Sequence, residues 1–123
     1  MQHLEVAGRL WDDLLAGRKT NTIRWRETRA QPGPLTFVRG DDPAQRVVVE
    51  VLRCTDLPLG EAAAFLGKEE IWPAEVMLAG MRSHYPRITM DDTVQVIEFA
   101  PVQDPQVQRS PATTSSKPVI SNS

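Results

Sequence analysis

Leu14-Leu15-Ala16-Gly17-Arg18-Lys19-Thr20-Asn21-Thr22-Ile23-Arg24 is the stretch on which the fold is read, because the periodicity of the chain changes inside it. Upstream, Leu10, Trp11, Leu14 and Leu15 repeat at the spacing of one helical face, and Gly17 stands where a left-handed residue ends a helix. Downstream, Thr20, Thr22 and Arg24 alternate with Asn21 and Ile23, the period of a strand whose two faces meet different surroundings. Lys19 therefore falls in the joint between helix and strand. A lysine in a turn and a threonine just inside a strand can converge on one small cavity, whereas a run of charge alone usually faces water. Here the cations are interleaved with hydroxyls, and Trp25-Arg26 follows at once. An indole beside a guanidinium suits a planar, carbonyl-rich ligand such as a nucleobase; Trp25 serves core packing equally well.

Outward from this joint the elements are short. Pro32-Gly33-Pro34 marks a turn before the strand candidate Leu35-Thr36-Phe37-Val38, and Arg39 to Pro43 is the next turn. Arg46 to Leu52 carries Val47, Val48, Val49, Val51 and Leu52 and reads as a strand covered on both faces, which makes Glu50 a carboxylate in need of an arginine partner. Leu59 to Leu66 is a short helix closed by Gly67; Lys68 to Trp72 is a link, and Pro73 fits the first turn of a second helix. On that helix Val76, Met77, Gly80 and Met81 share a side, with His84 and Tyr85 at its end, and Pro86 stops it. Thr93 to Phe99 is a last strand, and His3 to Val6 another short one. Short strands with two or three covering helices point to an α+β fold around a small barrel.

At 123 residues the chain is one domain's worth, with about the first hundred residues foldable. We read residues 1–101 as the domain and 102–123, rich in Gln, Pro, Ser and Thr, as a tail too poor in apolar surface to fold. A net charge of −2 and a pI near 5.6 disfavour a protein that holds long nucleic acid by bulk electrostatics, but leave room for a local basic pocket. Cys54 is the only cysteine and His3 and His84 the only histidines, so neither an intrachain disulfide nor a Cys/His zinc spacing is present. No metal and no cofactor are expected. Met1 to Ala7 is too polar for a signal peptide and no apolar run is long enough to span a bilayer, so the cytoplasm is the expected location.

The run Gly17-Arg18-Lys19-Thr20-Asn21-Thr22-Ile23-Arg24, with the helical segment ending at Tyr85-Pro86 and the closing Val96-Ile97-Glu98-Phe99, resembles the ASCH domain, related to the PUA fold. Within it the likeness is to the YqfB-type N(4)-acetylcytidine amidohydrolases. It covers about Leu10 to Phe99, with its specificity concentrated in the Gly-x-Lys-Thr-x-Thr-x-Arg run. The resemblance implies a PUA-like β-barrel flanked by helices and a hydrolytic lysine, threonine and glutamate. The lysine is then Lys19 and the threonine Thr22; the glutamate is Glu70 on an ungapped count back from Tyr85-Pro86, or Glu69 on a one-residue slip. The chain departs from that pattern at Pro32-Gly33-Pro34-Leu35, at Trp25 and in its Pro-rich extension, which bear on substrate range.

Chemistry gives such a trio defined tasks. Threonine is a poor nucleophile, so its proton must leave as Thr22 attacks the acyl carbon, and Lys19 takes it only when neutral. An ordinary lysine, at a pKa near ~10.4, is protonated at neutral pH; Arg18, Arg24 and partial burial are the expected means of favouring the neutral amine. Glu70 in its acid form donates to the departing exocyclic amine. Arg24 donates to a pyrimidine carbonyl or to the anionic intermediate, and Trp25 stacks on the ring. The expected activity is removal of the acetyl group from N(4)-acetylcytidine, with a small modified nucleoside or base as ligand. Two alternatives use the same cleft: a PUA/ASCH-type RNA-binding module, and a metal-independent ribonuclease.

Overall fold

The computed structural model describes residues 2–102. Eight elements follow in order: β1 (Gln2–Val6), α1 (Gly8–Leu15), β2 (Asn21–Arg24), β3 (Gly33–Arg39), β4 (Arg46–Pro58), α2 (Leu59–Phe65), α3 (Ala74–Arg82) and β5 (Thr93–Phe99). The strands form one sheet in the order β1-β3-β4-β5-β2, so the class is α+β, as the sequence predicts. Residues 103–123, and with them nearly all of the expected tail, lie outside the described residues.

The chain packs as two compact units. The first comprises residues 2–20, 32–51 and 99–102. In it β1 runs parallel to β3, with Leu4 opposite Phe37, and β3 runs antiparallel to β4, with Leu35 opposite Val49 and Phe37 opposite Val47. Alternation then buries Leu4, Val6, Leu35, Phe37, Val47, Val49 and Val51. Phe99 packs edge-on against Phe37 at 5.1 Å between ring centroids. Each such side chain taken from water contributes about 1.5–3 kcal/mol. Helix α1 buries Trp11 and Leu14 and ends as the glycine predicts: Gly17 has φ +80°, its N–H donates to the Leu14 carbonyl, and the Arg18 N–H reaches back to that of Asp13. A Cβ there would also sit 3.3 Å from the Val102 carbonyl oxygen. Lys19 follows in the loop, its N–H also on the Asp13 carbonyl at 3.1 Å.

The second unit comprises Asn21–Gln31 and Leu52–Glu98. Here β2 pairs antiparallel with β5, placing Thr22 opposite Ile97 and Arg24 opposite Gln95. Its core is Leu59 and Ala62 of α2, Met77 and Met81 of α3, Ile88, and Val94 and Val96 of β5, against which Ile23, Trp25, Trp72 and Tyr85 pack. Helix α2 ends at Gly67 (φ +69°) with the same reach-back bond, Lys68 N–H to the Ala63 carbonyl.

Four expectations are corrected. The strand expected over 46–52 continues to Pro58 and is not covered on both faces: Val47, Val49 and Val51 are buried, whereas Val48 and Leu52 are 39% and 61% exposed. A continuous apolar run hides the two-residue period that the pleat imposes. Glu50, on the outer face, is exposed, and water answers its charge without an arginine. Gly33 and Pro34 do not form a turn but open β3, where a proline is tolerated at a strand's start; the β1 register begins only at Leu35. On α3, Val76 is 51% exposed, so the buried stripe is Met77 and Met81.

Candidate active site

Strand β2 sets the geometry of the site. Thr22 and Arg24 are two residues apart on a strand, so their side chains leave the same face, opposite Ile23, which goes to the core of the second unit. There the Arg24 Nε–H donates to Thr22 Oγ1 at 2.9 Å, and its Nη1–H donates to Glu27 Oε1 at 3.2 Å. The Arg24 side chain is only 12% exposed and Glu27 33%, which sets this pair apart from Arg18–Asp13 at 66% and 49% and from Arg29–Asp56 at 65% and 46%. A charged hydrogen bond shielded from water is worth more than a solvated one. The other oxygen of Glu27, Oε2, accepts the Tyr85 O–H. Four side chains thus join in the order Thr22, Arg24, Glu27, Tyr85.

Tyr85 is placed by the end of α3: its N–H donates to the Met81 carbonyl, its own carbonyl accepts from Ile88, and Arg82 Nε–H holds the Ile88 carbonyl at 3.0 Å. Burial pushes its hydroxyl up to about 12, reinforced by the hydrogen bond to Glu27 and by that carboxylate's charge, against the opposing pull of Arg24. Tyr85 therefore stays protonated and donating at neutral pH.

The loop after β2 is fastened near its far end, at Arg29 and Ala30. Gln95, 5% exposed, gives both halves of its amide to Ala30: Oε1 accepts the Ala30 N–H and Nε2 donates to the Ala30 carbonyl, each at 3.0 Å. Arg29 makes a two-pronged bond to Asp56 at 2.9 and 2.7 Å. Within the loop Arg26 adopts φ +58°, a left-handed conformation unusual for a side chain of its size, and lays its guanidinium 4.3 Å from the centre of the Trp25 ring. Trp25 in turn meets Tyr85 edge-on at 5.9 Å.

The structure brings Thr22 and Arg24 into direct contact, whereas Trp25 meets Tyr85, at the other end of this series of bonds. Trp25 packs on the core, with Arg26 lying over its ring. Lys19, half-buried, lies in the loop that closes α1, in the first unit. The Arg18 guanidinium bonds Asp13 at 2.8 Å in an exposed pair. Glu70 is exposed on the turn after α2. Glu69, also exposed, lines a cavity of about 230 Å³ with Leu59, Ala63, Trp72, Met77 and Met90. Sequence reasoning missed Glu27 and Gln95, and placed Tyr85 at the end of its helix without its bond to Glu27. Among the described residues no three His, Cys, Asp or Glu side chains gather as a metal-binding group, and no helix is long and apolar enough to cross a membrane.

The arrangement at Thr22 has a chemical consequence. A cation that donates to an alcohol oxygen leaves the alcohol's own proton for another acceptor, and it stabilises the alkoxide formed when that proton departs.

No family model and no curated protein match the chain. Among solved structures it is similar to the crystal structure of a serine-to-alanine mutant of ZmASCH from Zymomonas mobilis, with a TM-score of 0.60 and 9% identity over 85% of this chain and 68% of that one. That likeness shows the fold: a small, barrel-like α+β ASCH fold, as the resemblance implied.

Proposed function

We propose that this protein is a cofactor-free amidohydrolase that deacetylates N(4)-acetylcytidine to cytidine and acetate, acting on the free nucleoside or base in the cytoplasm. The observation that carries this reading is the buried Thr22 hydroxyl receiving a charged N–H from Arg24 at 2.9 Å. Thr22 Oγ1 attacks the acetyl carbon as its proton passes to the neutral amine of Lys19, three residues upstream in the chain. The tetrahedral intermediate collapses as Glu70, or Glu69 in its place, donates a proton to the exocyclic nitrogen, and cytidine leaves. Water then hydrolyses the threonine ester and releases acetate. Arg24 meets the negative charge that develops at Thr22.

Incubating the purified protein with N(4)-acetylcytidine and following cytidine release by ultraviolet absorbance tests the reading. Turnover that survives extensive dialysis against a chelator supports it. No release, together with cleavage of labelled RNA under the same conditions, refutes it in favour of the ribonuclease; no release with salt-sensitive RNA retention points to the binding module.

A further inference from the structure

We infer that Glu27 is a positioning residue for the Thr22 nucleophile: bridging Tyr85 to Arg24, it fixes the guanidinium so that Nε–H stays on Thr22 Oγ1 as the alkoxide forms. This rests on the reading of Thr22 as the attacking group, but its geometry stands apart from any substrate. A lone arginine two residues along a strand has several rotamers of similar energy, and most send the guanidinium to water. Arg24 instead bonds Thr22 through Nε and Glu27 through Nη1, and the planar fork fixes the first once the second is made. Glu27 has its own restraint at the far oxygen, from the Tyr85 O–H. Tyr85 is held by the turn that closes α3, and the loop carrying Glu27 is held by Gln95 at Ala30. Every group between the helix end and the nucleophile is thus anchored on rigid structure, the condition for a hydrogen bond that does not reorganise when charge appears.

No proton crosses this chain. The Thr22 proton leaves for the base, the negative charge left on Oγ1 is met by an N–H that remains on Arg24, and the Glu27 carboxylate, with a third of its side chain exposed, balances the largely buried guanidinium. Glu27 acts on the reaction only through Arg24.

The test uses the full chain with Glu27→Gln and Tyr85→Phe, each checked for an unchanged fold by circular dichroism. Two readouts are taken: hydrogen exchange of the Arg24 Nε–H by ¹⁵N nuclear magnetic resonance, and kcat and KM for N(4)-acetylcytidine. Both variants are expected to speed the exchange by about tenfold and to lower kcat by about tenfold with KM within about twofold, the pattern of an interaction used in the transition state. Thr22→Val, which removes the acceptor, should speed the same exchange. Unchanged exchange in Glu27→Gln overturns the inference, as does faster exchange with kcat intact. If the wild-type protein releases no cytidine, the functional reading fails by itself, and the exchange measurement still decides whether Glu27 holds Arg24 on Thr22.

Discussion

Alkaline titration probes the Glu27–Tyr85 contact without any substrate, because Tyr85 is the only tyrosine in the sequence and tyrosinate absorbance therefore reports one residue. In the folded protein its hydroxyl stands at about 12; in the unfolded chain it reverts to ~10. At about pH 11 these values separate cleanly: roughly a tenth of the tyrosine is ionised in the folded state and roughly nine-tenths in the unfolded one. The sign for stability follows. The folded state holds the proton more tightly, so the contribution is complete below about pH 10 and is lost as the pH rises from there through about 12. Since burial is the larger cause and Glu27 the next, Glu27→Gln should bring the midpoint down while leaving it above ~10. The assay is near-ultraviolet difference absorbance, with far-ultraviolet circular dichroism at each pH to confirm that the chain is folded. A midpoint near 10 in folded wild-type protein refutes the reasoning, and so does a Glu27→Gln midpoint that does not move.

Four further outcomes are expected. Lys19→Ala and Thr22→Ala should abolish cytidine release with circular dichroism unchanged, and Thr22→Ser should keep part of it; release by Thr22→Ala at the wild-type rate means that water attacks directly. Glu70→Gln compared with Glu69→Gln identifies the acid as the variant that loses about 10²-fold or more in kcat, and neither slowing removes that role from both. Because Arg26 sits at φ +58°, Arg26→Gly relieves backbone strain that Arg26→Ala keeps, while both lose the contact with Trp25; in urea unfolding glycine should be the more stable by about 1 kcal/mol. Gln95→Ala strands the buried N–H and carbonyl of Ala30 and should cost about 1–3 kcal/mol for each group, seen as a lower melting temperature.

Much of the fold is legible in the sequence because it rests on local rules. Gly17 and Gly67 end their helices in the left-handed region, where a side chain is disfavoured. Pro73 stands immediately before α3, and the strand read over 93–99 is the one found. Besides the turn expected at Gly33-Pro34 and the early end expected for β4, the readings that fail concern which face an element shows. Val48, Leu52 and Val76 are apolar residues on exposed faces, and their identity carries no sign of that, since apolar side chains occupy surfaces as well as cores. Coverage is a property of neighbouring elements, and a single strand or helix does not encode its neighbours.

The candidate site divides along the same line. Thr22 and Arg24 are legible as a pair because a strand's period puts residues two apart on one face. Glu27 lies three residues from Arg24, which in a helix would read as a neighbour; here it lies beyond the end of β2, in a loop with no period to read. Its link to Tyr85 spans 58 residues and exists only because α3, the turn after it and the loop after β2 each end where they do. The residue type is visible in the sequence, a carboxylate just past Arg24-Trp25-Arg26. What separates Glu27 from Glu69 and Glu70 is connection. Its two oxygens hold Arg24 and Tyr85, so a change at Glu27 reaches Thr22 through bonds already made. Glu70, on an exposed turn, would in the proposed reaction act only with substrate bound. The two carboxylates therefore predict different kinetics: Glu27→Gln acts on kcat and on the Arg24 N–H with no ligand present, Glu70→Gln on turnover alone.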